Sequence, residues 1–305
     1  MNRMAQILEE VKKAVVGKDP LLVQMLMAIL AGGHILLEDI PGVGKTTIAL
    51  AFSKALSLEY RRVQFTPDVL PSDVTGFSLY NKETGRMEYQ PGAVLCNLFL
   101  ADELNRATSR TQSALLEAME EGQVTVDGVT HAVPQPFIVI ATQNPTGAAG
   151  TQLLPDSQMD RFMVRLSVGY PSPEEEVELL RRRQKGAPLE AVGPVVDVAG
   201  LLALRRAVEK IYLSTPVMQY IVRLVAATRG HAGVVQGASP RATLAVAAMA
   251  KAAALLLGED YVTPSNVENV FVCTVAHRLV LAPGAPGAED VLAEILRGVP
   301  APPLR

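Results

Sequence analysis

The feature that most restricts how this chain can fold is the run Gly42-Val43-Gly44-Lys45-Thr46, set between an apolar strand and a helix. The strand is His34-Ile35-Leu36-Leu37-Glu38, and the helix runs from Thr46 to about Leu56. A glycine-rich turn in that position aims backbone N–H groups at a phosphate beside the positive end of a helix dipole. The spacing reads as G-x-x-x-x-G-K-[ST], with Lys45 reaching the β- and γ-phosphates of a nucleoside triphosphate and Thr46 holding Mg2+. The residues expected around the phosphates are Pro41, Gly42, Val43, Gly44, Lys45, Thr46 and Thr47. One position departs: the first glycine of the pattern falls on Asp39, whose carboxylate has to point away from the phosphates.

A second run gives the first its chemistry. Leu98-Phe99-Leu100-Ala101-Asp102-Glu103 is an apolar strand ending in two acids. Adjacent carboxylates at the end of a buried strand are costly unless they serve a cation or a proton. Asp102 is expected to hold Mg2+ through water, and Glu103 to act as general base on the attacking water. A strand that simply reaches the solvated surface is the alternative. At this distance after a phosphate loop, ATP binding and hydrolysis is the stronger reading.

Three further short strands, Arg62–Phe65, Phe137–Ala141 and Met163–Leu166, join these two and are separated by helical stretches. Such spacing predicts an α/β fold with a parallel sheet covered by helices on both faces. Thr108 or Ser109 caps a helix over 110–121 that Gly122 ends. Ser172-Pro173-Glu174-Glu175-Glu176 opens another with a cap, a proline and acids at the positive dipole end, and Arg181-Arg182-Arg183 closes it. After a linker over 186–194, strand signals nearly vanish. Helices are expected over 198–209, 216–228, 240–257, 264–278 and 288–297. The expected domains are therefore 1–188, binding nucleotide, and 189–305, a small all-helical lid with a Pro/Gly-rich tail.

Composition excludes some classes. Hydrophobic residues make up 49% of the 305, enough for a core, but aromatics are 5% and Trp is absent, so that core is aliphatic. A net charge of -3 argues against a dedicated nucleic-acid binder, which needs a basic excess. Cys96 and Cys273 read as ordinary thiols, and His34, His131, His231 and His277 lack metal-ligand spacing. The first residues lack a signal-peptide pattern, and the longest apolar stretch, Pro20–Gly33, is broken by Gln24 and falls short of a bilayer span. The expectation is a cytoplasmic chain with no transmembrane segment.

The stretch Ala101-Asp102-Glu103-Leu104-Asn105-Arg106-Ala107, its continuation Thr111–Glu121, and Ala141-Thr142-Gln143-Asn144-Pro145 resemble the MoxR family of AAA+ ATPases, in the helix-2-insert branch. The resemblance covers Val16-Gly17 to about Leu281, and Glu38-Asp39-Ile40-Pro41-Gly42 looks like a variant that family tolerates. It implies that Asn144 is sensor 1, positioning the attacking water. It implies that Arg161 is an arginine finger reaching a neighbouring subunit's nucleotide, and that Arg241 is sensor 2. Val16 and Gly17, with Val15, would line the adenine pocket, and Gln64 would couple nucleotide state to Glu103. Hairpins within 76–91 and 123–134, the second turning at Asp127-Gly128, resemble the branch's insert and pre-sensor hairpin; ordinary surface hairpins are the alternative.

The resemblance further implies ATP and Mg2+ as cofactors, a homo-oligomer most often built as a hexameric ring, and a protein client undergoing chaperone-like maturation or cofactor insertion. A partner with a von Willebrand factor A domain often accompanies such proteins. A nucleic-acid motor, or a chelatase-like or catalytically silent ATP-binding subunit, is the rival reading. Whether Arg241 acts on its own subunit's nucleotide or a neighbour's is left open.

Overall fold

The computed structural model describes residues 3–39, 42–144 and 154–303. Helix α1 (Arg3–Ala14) buries Met4, Ile7, Leu8, Val11 and Ala14, one stripe of a 3.6-residue period. It is an addition to the helices expected from the sequence. Helix α2 (Asp19–Leu30) buries eight of its twelve residues, so the apolar stretch after Pro20 is a core helix. The phosphate-loop strand β1 (Ile35–Glu38) leads to α3 (Lys45–Ala55). Next come β2 (Tyr60–Gln64) and a short α4 (Pro71–Thr75). The antiparallel hairpin β3 (Gly76–Asn81) and β4 (Arg86–Pro91) follows.

The acidic strand β5 (Leu98–Asp102) is buried throughout. Helix α5 (Ser109–Glu121) begins at Thr108, whose side chain accepts from the Thr111 N–H, and stops at Gly122 with φ 63°. Only a residue that tolerates a left-handed backbone ends a helix this way at low cost. A second hairpin, β6 (Gln123–Val126) and β7 (Val129–Ala132), turns at Asp127-Gly128 as expected. Strand β8 (Ile138–Gln143) is buried end to end. A one-turn α6 (Asp156–Met159) and β9 (Val164–Leu166) lead to α7 (Pro173–Gln184), opened by the Ser172/Glu175 capping box.

The remaining elements are α8 (Val198–Lys210), α9 (Thr215–Gly230), β10 (Val234–Gln236), α10 (Pro240–Leu257), α11 (Pro264–Val275), β11 (Val280–Leu281) and α12 (Ala288–Gly298). The helix expected over 264–278 ends at Val275 and tightens into a 3-10 turn over Ala276–Arg278. Strands β10 and β11 form a small antiparallel pair that the sequence does not announce, because two- and three-residue strands carry no periodic signal. Helix α10 is apolar and long enough to cross a membrane by length and composition. It packs on α11 and α9, burying Ala242, Ala245, Val246, Met249 and Ala250 among others, as a core helix does.

The five-stranded sheet has the order β2-β5-β8-β1-β9. Strands β2 and β5, and β5 and β8, pair in parallel, with Gln64 opposite Asp102 and Ala101 opposite Ala141. The carboxyl ends of these strands therefore lie along one rim, where open α/β sheets bind ligands.

By its contacts the chain divides into two units. The first comprises Met1–Asp19, Leu36–Leu154 and Ser167–Ala199; the second comprises Pro20–Ile35, Pro155–Leu166 and Gly200–Arg305. This departs from a single cut at 188/189. Two early segments are tied to late helices: Arg205 Nε donates to the Ile29 carbonyl at 3.0 Å, and Arg278 Nη2 to the Phe162 carbonyl at 2.7 Å.

Candidate functional site

Within the first unit, Gly42, Gly44, Lys45, Thr46, Thr47, Asp102, Glu103 and Asn144 line one cavity of about 330 Å3, together with Arg62 and Gln64. Gly42 and Gly44 have φ of 88° and 93°, values that glycine adopts without the penalty a Cβ brings. They turn the loop into α3, so that backbone N–H groups and the helix N-terminus face the cavity. Pro41 lies outside the described residues. Lys45 is buried and donates from Nζ to the Asp39 carbonyl at 2.7 Å, with the Asn144 Oδ1 at 3.5 Å. Burial lowers its pKa, against which Asp102, Asp39 and Glu103 act in the opposite direction. A bound triphosphate would add negative charge and favour the ammonium further.

Asp39 does what its place in the loop demands. Its Oδ2 accepts from the Ser167 hydroxyl at 2.9 Å and the Gly169 N–H at 2.5 Å. Only its backbone carbonyl meets Lys45. The carboxylate is thus satisfied by hydrogen bonds of its own, which is how a buried charge is tolerated.

Asp102 and Glu103 are held by partners that their own strand does not reveal. Asp102 Oδ1 accepts from Thr142 Oγ1 at 2.6 Å, and Oδ2 from Arg62 at 2.7 and 3.2 Å. Arg62 also donates to Gln64 Oε1 at 2.9 Å. The fully buried Thr142 hydroxyl accepts in turn from the Glu103 N–H at 2.8 Å. One hydroxyl thereby links the carboxylate of one acid to the backbone of the next. Glu103 has φ 56° and ψ 44°, left-handed for a residue with a Cβ. Such strain is costly and persists where neighbours hold it, commonly at functional positions. Its Oε2 accepts from Arg106 Nη1 at 2.7 Å.

Arg62 is visible in the sequence as a cation two residues before Gln64 on the same strand. Arg106 lies one helical turn after Glu103, the spacing at which ion pairs form. Asn105, itself buried, donates to the Asn144 carbonyl at 3.3 Å and so braces the strand end that carries Asn144.

The donor set suits Mg2+. Thr46 and Asp102 offer a hydroxyl and a carboxylate, hard oxygens that this cation takes alongside phosphate oxygens and waters. Among the described residues no group of three or more His, Cys, Asp or Glu could hold a metal alone.

A second cavity of about 260 Å3 adjoins the loop. Ala14, Val15, Val16, Lys18, Gly42, Val43, Gly44, Thr47, Ile48, Pro171 and Leu179 line it. Its apolar walls suit a nucleobase. Gly17 has φ 68°, a left-handed backbone that favours glycine, and it packs against the Glu175 side chain.

Arg161 and Arg241 belong to the second unit. Arg161 is half-buried, two residues past the end of α6. Arg241 is exposed in the first turn of α10, and its N–H donates to the Ser239 Oγ at 3.2 Å. His277 is buried and pushed down to about 3, so it is a neutral core residue. Burial pushes the Cys96 thiol up to about 12 and Cys273 to about 11, away from nucleophilic character.

Comparison with known proteins agrees with this geometry. Residues 34–164 match the model of the ATPase family associated with various cellular activities, and residues 226–295 match an AAA lid domain. The chain is 44% identical over 303 residues to protein YeaC of Bacillus subtilis, covering 98% of this chain and 95% of that one. It is 39% identical over 305 residues to Chaperone MoxR1 of Mycobacterium tuberculosis, covering 97% and 80%. A crystal structure of a protein assigned as an ATPase from Cytophaga hutchinsonii superposes with a TM-score of 0.92 at 37% identity, over 99% of this chain and 96% of that one.

Proposed function

The chain belongs to the MoxR family of AAA+ ATPases and is an ATP-hydrolysing enzyme, and from that premise we propose that it couples Mg2+-dependent hydrolysis to chaperone-like remodelling, maturation or cofactor insertion in protein complexes. The observation that carries the hydrolytic part is the meeting of Lys45, Thr46, Asp102, Glu103 and Asn144 around one cavity. Lys45 and the loop N–H groups bind the phosphates. Thr46 and Asp102 would hold Mg2+, which when bound would supply positive charge to offset that of the phosphates. Glu103 takes the proton of the attacking water, and Asn144 orients that water. Val16 and Gly17 border the base. Arg161 adds its guanidinium to a neighbour's site, so the working form is a homo-oligomeric ring, six subunits being the expected number. Arg241 serves as sensor 2 from the start of α10.

The client end of the reading rests on the β3–β4 hairpin. Tyr80 and Met87, opposite each other in the register on one face of the hairpin, are 56% and 61% exposed, and Phe77 and Leu79 are exposed on its other face. Clustered exposed apolar side chains mark interaction surfaces. A partner with a von Willebrand factor A domain and a cytoplasmic setting complete the proposal.

Suppression of aggregation of a heat-unfolded test protein checks it. Wild type with ATP is expected to suppress aggregation, and the Tyr80→Ser/Met87→Ser protein to lose that effect while keeping basal hydrolysis. Absence of ATP-dependent protection, with hydrolysis instead stimulated by DNA in a salt-sensitive way, would favour a nucleic-acid motor.

A further inference from the structure

The residues on either side of Arg161 are held by one buried arginine. Arg278 follows α11 in the 3-10 turn, and its side chain is 3% exposed. Nη1 donates to the Asp160 carbonyl at 2.9 Å and pairs with the Asp160 carboxylate at Oδ1. Nη2 donates to the Phe162 carbonyl at 2.7 Å, and Nε to the Thr274 carbonyl at 2.9 Å. The neighbouring His277 ring meets the same Phe162 carbonyl from Nε2 at 3.0 Å, and Phe162 itself is fully buried. The second oxygen of Asp160 accepts from the Ser239 hydroxyl at 2.9 Å.

A planar guanidinium with five fixed donors satisfies acceptors on three residues at once, which a lysine ammonium on a flexible stem cannot reproduce. A buried cation is expensive, and a chain segment needing only to be packed would be served by apolar side chains. What this arrangement adds is direction. It fixes backbone carbonyls at 160 and 162, and therefore the direction in which the side chain of 161 leaves the chain.

We propose that Arg278 is a positioning residue for the hydrolysis reaction, acting through Asp160 and Phe162 to hold Arg161 in the orientation it needs to reach a neighbouring subunit's nucleotide. This rests on the reading of Arg161 as a finger acting between subunits. Arg278 lines neither of the two cavities assigned to the nucleotide. A misplacement of about 1 Å at a reacting group can cost about 10²-fold in rate, so loosening the clamp acts on kcat. The subunit's own affinity for ATP stays as it was.

The test is a complementation experiment with Arg278→Lys. Its kcat is expected to fall by about 10²-fold while the affinity for a fluorescent ATP analogue stays within error of wild type. Mixing it with Glu103→Gln, which carries an intact clamp and finger, restores hydrolysis at sites whose base comes from the Arg278→Lys subunit. Mixing it with Arg161→Ala restores nothing, because both proteins lack a working finger. Recovery with Arg161→Ala would place the defect in the variant's own site, and an unchanged kcat would remove the clamp's role; either overturns the inference. If Arg161→Ala and Glu103→Gln fail to complement each other, the finger reading itself has failed and the inference falls with it. Should Arg278→Lys lose its cooperative melting transition, Asp160→Asn, isosteric and leaving Arg278 in place, is put through the same mixtures with the same expected pattern.

Discussion

Replacing Arg161 with Ala should lower kcat by about 10³- to 10⁵-fold, the range an arginine finger supplies, with nucleotide affinity nearly unchanged. The reason lies in when the guanidinium acts. In-line attack on the γ-phosphate spreads charge over oxygens that carry less of it in the ground state, so a cation aimed at them stabilises the transition state selectively. An interaction made only in the transition state lowers kcat and kcat/KM together. Steady-state hydrolysis read beside equilibrium binding of a fluorescent ATP analogue separates the cases. A rise in KM with kcat preserved would mean that Arg161 binds substrate without aiding the chemistry.

The second large effect is expected from Glu103→Gln. The amide keeps the size of the side chain but cannot take a proton from water. A positioned general base contributes about 10²- to 10⁴-fold, and kcat should fall by that amount. ATP should still bind, because Lys45, Thr46 and the loop N–H groups are untouched. Asp102 also keeps Thr142 and Arg62 on its two oxygens. The Arg106 ion pair to Glu103 is lost in this variant, so a melting curve accompanies the kinetics. Side chains of this pair are 39% and 18% exposed, and a pair that accessible contributes little to stability. Hydrolysis at the wild-type rate by Glu103→Gln would place the base elsewhere.

Much of this site is legible in the amino-acid sequence because its chemistry is local along the chain. The loop Gly42–Thr46 and the strand ending Asp102-Glu103 carry residue types that the phosphates, the cation and the water require at fixed spacing. The sheet strands β1, β5 and β8 are legible too, since each is a short apolar run, whereas β2, with the sequence Tyr-Arg-Arg-Val-Gln, gives a weaker signal and spans Tyr60–Gln64 rather than the expected 62–65. The partners of the acids are not. Thr142 and Arg62 reach Asp102 from strands 40 residues away in sequence, and a β-ladder register is not encoded in either strand alone.

Asp39 reads as a defect in the loop when taken alone; Ser167 and Gly169, 128 and 130 residues later, satisfy it. Helix α1 escapes notice because its apolar residues are interleaved with Glu9, Glu10, Lys12 and Lys13, whose charges mask the stripe by composition though not by period. The clamp on Asp160 has no signature in the sequence. Arg278 stands at the end of an expected helix, where a cation is favoured by the dipole alone and nothing marks it as buried.

A complete hydrolytic site, in this mechanism, draws its base and its finger from different copies of the chain. The most direct test mixes Glu103→Gln with Arg161→Ala in equal amounts and measures ATP hydrolysis against each protein alone. The mechanism predicts recovery to roughly one quarter of wild-type activity, the share of interfaces in a randomly mixed ring that unite an intact base with an intact finger. A mixture no more active than its two components would contradict it, and each subunit would then have to carry its whole catalytic machinery itself.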